Sequence, residues 1–367
     1  MKIIWAGTFE PGFSRNRKLA RLLEIAGADV TVVREPLWGD DRVGLATGGW
    51  SRTAFSALWK YPRLLLRLLK AGRPDLYLVS YPGWFDMPVV RLAAWLRRRP
   101  VVFDPFISLY DTMISDRRLH SDRSALARVA TLVDRWSLRL SSRIVADTPP
   151  HLLLFDTLAP GVGSRGDVLP IGADDEVFTP RPDVEIKPRL VTFHGTFVPL
   201  QGLETIVEAA ALLEPEGIRT VIIGDGQDRP AVETAIRRTG VNVELIGLLP
   251  LEQLPERLAP STVCLGVFGD SEKAGRVVPH KVYECLAMGL PVVTRDGPAI
   301  GAMFGEDELV TVPPSEPIAL ANAIRSLIVD PARRHRVASA GLKIYRERFH
   351  EEPLAALLVE ILESAVD

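Results

Sequence analysis

The second half of this chain passes from a buried strand through a glycine-bearing loop into a helix along the stretch Phe193-His-Gly-Thr-Phe-Val-Pro-Leu-Gln-Gly-Leu-Glu-Thr205. The apolar residues before the loop predict a strand that ends at Phe193, and helical periodicity begins near Leu203. Short apolar strands alternate with amphipathic helices in the same way along the whole chain. Such alternation is typical of parallel sheets with helices on both faces. We therefore predict an α/β protein.

The predicted strands fall into two sets. The first set is Ile3–Ala6, Val30–Val33, Leu76–Val79, Val101–Phe103 and Ile144–Ala146. The second is Leu190–Phe193, Thr220–Ile223, Val243–Ile246, Val263–Val267, Pro291–Thr294 and Leu309–Val312. Helical periodicity is clearest at Arg17–Ile25, Leu126–Leu140, Leu203–Leu213, Arg229–Thr239 and Ile318–Ile328.

The two sets predict two Rossmann-like domains, residues 1–168 and 184–345. Between them, residues 169–183 are rich in proline, glycine and aspartate and read as a linker. Residues 346–367 predict a C-terminal helix that packs back on the first domain. Ligands of such folds bind beyond the carboxyl ends of the strands, so we expect the parallel sheets to face each other across a ligand-binding cleft.

The composition narrows the class of protein. Hydrophobic residues make up 47% of the 367 residues and charged residues 25%, as in soluble globular proteins. The formal net charge of -2 gives no overall attraction to nucleic acid. Two cysteines exclude a disulfide scaffold, and without a C-x-x-C motif we expect no structural metal. We predict a cytoplasmic protein, because no apolar run reaches the roughly 18 residues that span a bilayer.

Two glycine loops are candidate anion sites. Backbone N–H groups in the loop at Gly195 and Thr196, and at the helix start that follows, can bind a diphosphate; the alternative is an ordinary βα turn. The second loop is Ile223-Gly-Asp-Gly-Gln-Asp-Arg-Pro230. Arg229 occupies the position of the third glycine in a dinucleotide-binding fingerprint, so the fingerprint is incomplete. At Gly224 and Gly226 we therefore expect only that the backbone comes close to a ligand.

A third stretch runs Lys273-Ala-Gly-Arg-Val-Val-Pro-His-Lys-Val-Tyr-Glu-Cys-Leu-Ala-Met-Gly-Leu-Pro-Val-Val293. Cations near a helix start are unfavourable unless an anion is present, yet Arg276, His280 and Lys281 cluster there. This clustering indicates a phosphate. Lys281 and Glu284 lie one helical turn apart, and the alternative is an ion pair between them on the surface.

These three stretches together resemble the family-4 glycosyltransferases of the GT-B fold. The resemblance covers the C-terminal half, and the ending Glu284-Cys-Leu-Ala-Met-Gly-Leu-Pro-Val-Val293 is its strongest signal. The linker stretch Pro170-Ile-Gly-Ala-Asp-Asp-Glu-Val-Phe-Thr-Pro180 also looks like the family's entry into its second domain. The resemblance implies a donor site for a nucleoside-diphosphate sugar in the C-terminal domain.

The resemblance also implies roles for single residues. Glu284 is expected to bind the ribose hydroxyls, Gly195 and Thr196 to lie near the diphosphate, and the backbone of Ile246 and Gly247 to contact the base. The predicted donor site also includes residues of the glycine loops and of the third stretch, namely Gln201, Gly224, Gly226, Arg276, His280, Lys281, Val282 and Tyr283.

This sequence departs from the family pattern at two places. Arg276 occupies the position of the first of two glutamates that the family spaces eight positions apart. Phe197 and Gln201 replace the basic pair of the first loop. We expect Arg276 and Lys281 to supply the charge for the phosphates instead.

The implied reaction is transfer of a sugar from the donor to a hydroxyl acceptor, such as a glycan or a lipid-linked intermediate in polysaccharide biosynthesis. By resemblance the anomeric configuration would be retained. The chain has no Asp-x-Asp motif, which favours a metal-independent site without further cofactors. Two alternatives remain: a non-catalytic partner subunit that binds sugar nucleotides, and a sugar-nucleotide epimerase of the same fold.

The N-terminal half is expected to receive the acceptor. Ser14, Arg15 and Asn16 are polar residues at a predicted helix start, where the alternative to acceptor binding is simple capping. Asp104 and Asp111 follow a strand end and are the candidate catalytic carboxylates; for Asp104 the alternative is capping of the next turn. Many family members have a histidine near this point, and Phe106 aligns with it here.

A basic segment suggests a further partner. From Arg42 to Pro74 there is no acidic residue, and basic residues alternate with tryptophans and leucines. An amphipathic basic helix near residues 54–71 predicts peripheral contact with anionic lipid at the inner face of the membrane. The alternative is a core helix with a solvated basic edge.

Overall fold

The structure is a computed structural model that describes residues 1–37, 50–111 and 124–366, with the backbone alone for residues 50–58. The chain forms two compact units. The first contains the described residues up to Pro170 together with Glu351–Asp367, and the second contains Ile171–His350. Part of the predicted basic segment, residues 42–49 and the side chains of 50–58, lies outside the described residues.

The first unit is built on a six-stranded parallel sheet in the order β2-β1-β3-β4-β5-β6. Its strands are β1 (Lys2–Gly7), β2 (Asp29–Arg34), β3 (Leu76–Ser80), β4 (Val101–Asp104), β5 (Arg143–Ala146) and β6 (Gly166–Val168). Its helices are α1 (Ser14–Ile25), α2 (Trp50–Lys70), α3 (Met87–Arg97), α4 (Ala125–Leu140), α5 (Pro149–Leu158) and α14 (Glu351–Glu363).

Helices cover both faces of this sheet. Side chains of α2, α3, α4 and α5 pack on one face against Ile4, Tyr77 and Phe103. Side chains of α1 and α14 pack on the other face against Ile3 and Trp5. Alternate residues of each strand therefore enter different cores, as the two-residue period of a strand requires.

A buried ion pair fastens α14 to α1. The Glu351 carboxylate accepts hydrogen bonds from Lys18 Nζ at 2.8 Å and Arg21 Nε at 3.2 Å. Burial acts to raise the pKa of Glu351, but the bonds and charges of Lys18 and Arg21 outweigh it, so the pKa lies below its usual value. The carboxylate stays ionised and joins the end of the chain to its beginning.

The second unit repeats the design with sheet order β12-β11-β10-β7-β8-β9, again parallel. Its strands are β7 (Leu190–His194), β8 (Arg219–Ile223), β9 (Val243–Ile246), β10 (Val263–Leu265), β11 (Val292–Arg295) and β12 (Val310–Val312). Its helices are α6 (Leu203–Leu213), α7 (Arg229–Thr239), α8 (Leu254–Leu258), α9 (Glu272–Arg276), α10 (His280–Ala287), α11 (Pro298–Met303), α12 (Pro317–Val329) and α13 (Pro331–Ile344).

The fold class predicted from the sequence is confirmed: each predicted strand coincides with an observed one within two residues. The sequence did not predict β6, because Gly166-Asp-Val168 is too short to show a period and contains a glycine and an aspartate, which are unfavourable in strands. Within the described ranges, the structure has no helix of the length and apolarity that crossing a bilayer requires.

Gly341 in α13 lets this helix approach α10 closely. A Cβ at this position would lie 2.5 Å from Leu286 Cδ2 and 2.7 Å from the carbonyl oxygen of Glu308. We predict that Gly341→Ala lowers the free energy of unfolding by about 1–3 kcal/mol, since the backbone atom cannot move aside cheaply. Equilibrium denaturation measures this change.

The matched control is Gly301→Ala in α11, where an added Cβ meets no atom within 4 Å. There the higher helix propensity of alanine should leave stability unchanged or raise it by up to about 1 kcal/mol. Equal effects of the two substitutions would contradict the packing described for α13.

Candidate functional site

Two glycine loops lie side by side at the carboxyl edge of the second sheet. They follow β7 and β8, which are paired neighbours. Gly195 N–H donates to the Ile223 carbonyl at 2.9 Å, and Phe197 N–H donates to the Asp225 carbonyl at 2.9 Å. The loops are therefore hydrogen-bonded to each other, which fixes the backbone around Gly195.

The glycines of the second loop are explained by this packing. A Cβ on Gly224 would lie 2.0 Å from the Gly195 carbonyl oxygen, and one on Gly226 would lie 2.7 Å from the Phe197 nitrogen. Both have positive φ, at +144° and +158°. The close approach predicted at Gly224 and Gly226 is thus made by the neighbouring loop, and their contact with a donor stays a prediction.

Lys281 lies beneath the first loop. Helix α10 begins at His280, after Pro279 in extended conformation, and directs Lys281 towards the end of β7. The ammonium nitrogen is 3.8 Å from the centre of the Phe193 ring and donates a hydrogen bond to Gln201 Oε1. A Cβ on Gly195 would come within 2.7 Å of it. Because Gly195 has no side chain, the Lys281 ammonium can occupy this space.

Burial disfavours the protonated, charged form of Lys281. It lowers the pKa of Lys281 from 10.5 to about 7, and the charges of Glu284 and Cys285 offset only part of this effect. Gln201 supplies a neutral oxygen and Phe193 a π face, so neither partner carries a full negative charge. A bound anion would stabilise the charged form of Lys281.

Glu284 lies on the same face of α10, one turn after Lys281, and its Oε2 is 2.7 Å from His194 Nε2. Burial acts to raise its pKa, but the bond to His194 and the charges of His194, His280 and Lys281 bring it below the usual value. Glu284 is thus held as a carboxylate. The predicted alternative, a surface pair between Lys281 and Glu284, is not what forms: their direct partners are Gln201 and His194.

His194 was missed as a site residue. It is the last residue of β7, buried, and directly precedes the predicted loop. A signal for it exists in the sequence, because a polar residue at the carboxyl end of a buried parallel strand points to the ligand-binding edge of the sheet.

The other residues predicted on the donor side differ in how exposed they are. Thr196 and Gly247 are exposed and Ile246 is half-buried, but the carbonyl of Ile246 already accepts the Gly224 N–H at 2.8 Å. Ile246 is paired with Ile223, so its backbone is engaged by β8, whereas Gly247 is exposed; base contact at both positions stays a prediction.

Residues around α10 likewise differ in orientation. Arg276 is half-buried and bonds Glu272 at 2.9 Å, and half-buried His280 lies at the start of α10. Val282 and Tyr283 point the other way: Val282 is in the core and the Tyr283 ring packs edge-on against Phe349. The helical period separates them from Lys281 and Glu284, so a direct donor contact of these two side chains is not supported.

In the first unit, Arg15 and Asp104 bind each other. Arg15 Nε is 2.7 Å from Asp104 Oδ2, and both side chains are fully buried. Burial acts to raise the pKa of Asp104, and Arg15 counteracts only part of that effect. Arg15 also donates to the carbonyls of Leu169 and Pro170. The buried pair thus has a structural role in the fold, and the acceptor role of Arg15 and the catalytic role of Asp104 stay predictions.

The remaining residues predicted at this edge also hold loops. Asn16 is buried and donates to the carbonyls of Glu10 and Tyr81 at 2.8 and 2.9 Å. Asp111 is buried and its N–H donates to Ser108 Oγ. Ser14 is half-buried at the first position of α1 and remains the most accessible of the predicted acceptor residues.

Sequence reasoning also missed buried acids in the first unit, among them Asp86 and Asp147. Asp86 accepts the Thr8 N–H at 2.7 Å, and burial raises its pKa to about 6. Asp147 Oδ1 is 2.6 Å from His151 Nδ1 at the start of α5. Across the described ranges, no group of histidine, cysteine and acidic side chains has the arrangement of a metal site.

Comparison with known proteins gives matches over both units. A family model described as "Glycosyl transferase 4-like domain" matches residues 14–172, and one described as "Glycosyl transferases group 1" matches residues 188–330. Alpha-D-kanosaminyltransferase of Streptomyces kanamyceticus is 29% identical over 154 residues, covering 41% of this chain and 39% of that protein. D-inositol 3-phosphate glycosyltransferase of Xylanimonas cellulosilytica is 27% identical over 223 residues, covering 55% and 52%. The matches thus span about half or less of these curated relatives.

The fold is also similar to that of a solved structure over the whole chain. HepE from Anabaena, crystallised in complex with UDP, superposes with a TM-score of 0.71 over 99% of this chain and 100% of that one. The sequence identity is 17%. This likeness concerns the fold, which is the GT-B arrangement of two Rossmann-like domains.

The pKa of Lys281 predicts a pH dependence of stability. The folded protein releases this proton near pH 7, whereas the unfolded chain retains it up to about pH 10.5. The charge therefore destabilises the fold most at pH 7 and below, and this cost disappears as the pH rises towards 10.5. We expect the stability of Lys281→Met relative to wild type to be highest at pH 7 and to fall with rising pH. Denaturation curves across this range measure it.

Lys187→Met is the matched control, because Lys187 is exposed in the same unit. Its difference from wild type should be independent of pH over this range. A pH-independent difference for Lys281→Met would show that Lys281 stays charged in the folded protein.

The Arg15–Asp104 pair predicts a second result. Asp104→Asn leaves the buried guanidinium without its counter-charge, so we expect the free energy of unfolding to fall by about 3 kcal/mol or more. Asp167→Asn removes the partner of Arg143 from a half-exposed pair and should cost about 1 kcal/mol or less. Denaturation of both variants tests the structural role; equal stabilities would argue against it.

Proposed function

Because this chain belongs to the family-4 (group 1) glycosyltransferases of the GT-B fold, we propose that it transfers a sugar from a nucleoside-diphosphate sugar to a hydroxyl acceptor. In this reaction the bond between the anomeric carbon and the diphosphate breaks. A bond to the acceptor oxygen forms, and the acceptor proton leaves with the diphosphate. We propose that the sugar keeps its anomeric configuration, as the family resemblance implies.

The observation that carries the proposal is the buried ammonium of Lys281 beneath the Gly195 loop. Burial of this cation is costly even with the Glu284 carboxylate one turn away, and a diphosphate next to it would stabilise the charge further. The negative charge of the leaving diphosphate increases as the glycosidic bond breaks. A cation fixed in advance stabilises this charge without reorganising, which lowers the barrier.

We assign Glu284 to the ribose of the donor. Its carboxylate is held ionised, and His194 binds only Oε2. Oε1 can then accept a ribose hydroxyl, and charge-assisted bonds of this kind are stronger than neutral ones. In this assignment His194 is a positioning residue that fixes the rotamer of Glu284.

Metal independence is part of the proposal and rests on the protein's own cations. Lys281 and half-buried Arg276 would provide the positive charge that a divalent ion supplies in other sugar-transfer sites. We propose no cofactor other than the sugar nucleotide.

For the acceptor we propose a glycan or a lipid-linked intermediate of polysaccharide biosynthesis, used at the cytoplasmic face of a membrane. The support is the basic character of the segment that includes α2, where Glu35 pairs with Arg63 and Arg67 and an excess of positive charge remains.

The donor assignment is tested by binding. A thermal-shift screen against UDP, GDP, ADP and dTDP should find at least one nucleoside diphosphate that raises the melting temperature. Glu284→Ala should then weaken its binding by about 10- to 100-fold, because a charge-assisted hydrogen bond to the ribose is lost. The control Glu252→Ala changes an exposed glutamate of the same unit and should bind normally. Equal affinity of the two variants would refute the role of Glu284.

Activity assays separate transfer from the alternatives. A panel of donors and hydroxyl acceptors should yield a glycosylated product, with nucleoside diphosphate released in equal amount. Binding without any turnover would indicate a non-catalytic partner subunit. Conversion of the donor sugar in the absence of acceptor would indicate an epimerase.

A further inference from the structure

One face of the first unit exposes a tryptophan on each of three neighbouring helices. Trp59 in α2, Trp95 in α3 and Trp136 in α4 have 71%, 66% and 53% of their surface accessible. Exposed leucines accompany them at positions Leu66, Leu92, Leu96 and Leu132. Single exposed apolar residues are common on protein surfaces, but a group of this size indicates a binding surface.

These side chains point in the same direction. Helices α2, α3 and α4 lie in one layer on one face of the sheet, with α3 in contact with both others. Their inward residues, such as Leu68, Val90 and Ala130, are buried against the strands. The tryptophans are on the opposite side of their helices, so together they form the outer surface of the layer, which we name the α2–α4 face.

Basic residues outnumber acids on the α2–α4 face among the described residues, where Glu35 pairs with both Arg63 and Arg67. Between residues 60 and 99 the acids are Asp75 and Asp86, against nine basic residues: Lys60, Arg63, Arg67, Lys70, Arg73, Arg91, Arg97, Arg98 and Arg99. Asp86 is buried, and Asp75 accepts the backbone N–H of Lys2 at the sheet edge. In α4, Asp134 is buried while Arg128, Arg135 and Arg139 are exposed.

A surface cavity lies at the C-terminal end of α3, within this face. Its volume is about 530 Å³, and it is lined by Arg91, Trp95, Leu96, Arg98, Arg99 and Ser142, among others. Three arginines line this one cavity, and arginine suits a phosphate, which it binds through two parallel hydrogen bonds. Trp95 and Leu96 border the same cavity, so an apolar group and a phosphate would be adjacent in its ligand.

We propose that the α2–α4 face binds the surface of a membrane that contains anionic phospholipids, with a lipid phosphate in the cavity at Arg91, Arg98 and Arg99. Tryptophan is favoured at the boundary between headgroups and acyl chains, where its ring is buried and its N–H stays hydrated. Arginines beside it are attracted by the negative surface potential. An anionic bilayer matches both properties over a surface as wide as three helices.

This inference gives the proposed membrane contact a defined surface that extends beyond the basic segment of α2. The proposed function explains why the protein would bind a membrane, but lipid binding itself needs no sugar nucleotide. Failure of lipid binding would leave the donor assignment intact, and failure of donor binding would leave the α2–α4 face intact.

The test is co-sedimentation of the full chain with vesicles. We expect binding to vesicles of equal parts phosphatidylcholine and phosphatidylglycerol, weak binding to phosphatidylcholine alone, and a decrease as salt is raised. The double variant Arg91→Glu with Arg99→Glu should lower the affinity at least about tenfold. The double variant Trp95→Ser with Trp136→Ser should lower it on both kinds of vesicle, because it removes apolar insertion.

Matched controls carry equal changes on the second unit: Arg237→Glu with Arg336→Glu for charge, and Ile318→Ser with Val329→Ser for exposed apolar surface. Both should bind vesicles like wild type, and inorganic phosphate should compete only weakly. Equal losses in the controls, or no preference for anionic vesicles, would overturn the proposal. A dimer that the Trp95→Ser, Trp136→Ser variant converts to monomer would also overturn it, by identifying the face as an interface between copies.

Discussion

The ammonium group of Lys281 lies 3.8 Å from the centre of the Phe193 ring, is bonded to a neutral amide oxygen and is almost removed from water. Much of the second unit's carboxyl edge is arranged around it. Gly195 lacks the side chain that would displace it, and the second glycine loop fixes the first by hydrogen bonds and close packing. A cation in such surroundings is poorly stabilised until an anion binds. This arrangement supports the proposal that a negatively charged ligand binds there.

The sequence predicts the parts of this account that depend on local pattern. Strand and helix periods predict both sheets, and the spacing of Lys281 and Glu284 places them on one face of α10. The pairing of buried polar groups carries no local signal. His194 and Glu284 are 90 residues apart in sequence, and Arg15 and Asp104 are 89 apart. Only the folded arrangement of the strands brings them together.

Contacts between residues distant in sequence explain why some predicted site residues have structural partners that the sequence did not indicate. Asp104 stands at a strand end, where catalytic groups tend to gather, and in the fold its carboxylate is paired with Arg15. Gly224 and Gly226 fit a ligand-binding turn by sequence, but the neighbouring backbone fills the space that a side chain would need. In the same unit as Asp104, the exposed tryptophans of α3 and α4 carry no recognisable motif. Their significance depends on three helices sharing one layer.

The proposed role of Lys281 is tested most directly by the number of protons that the protein takes up when a ligand binds. Titration calorimetry at pH 8, in buffers of different ionisation enthalpy, measures proton uptake with the nucleoside diphosphate that binds most tightly. With the pKa of Lys281 at about 7, most of the ligand-free protein has a neutral lysine, and binding should take up close to one proton. Lys281→Arg, which is charged at every accessible pH, should take up almost none. The absence of uptake by the wild type would contradict the claim that Lys281 binds the diphosphate.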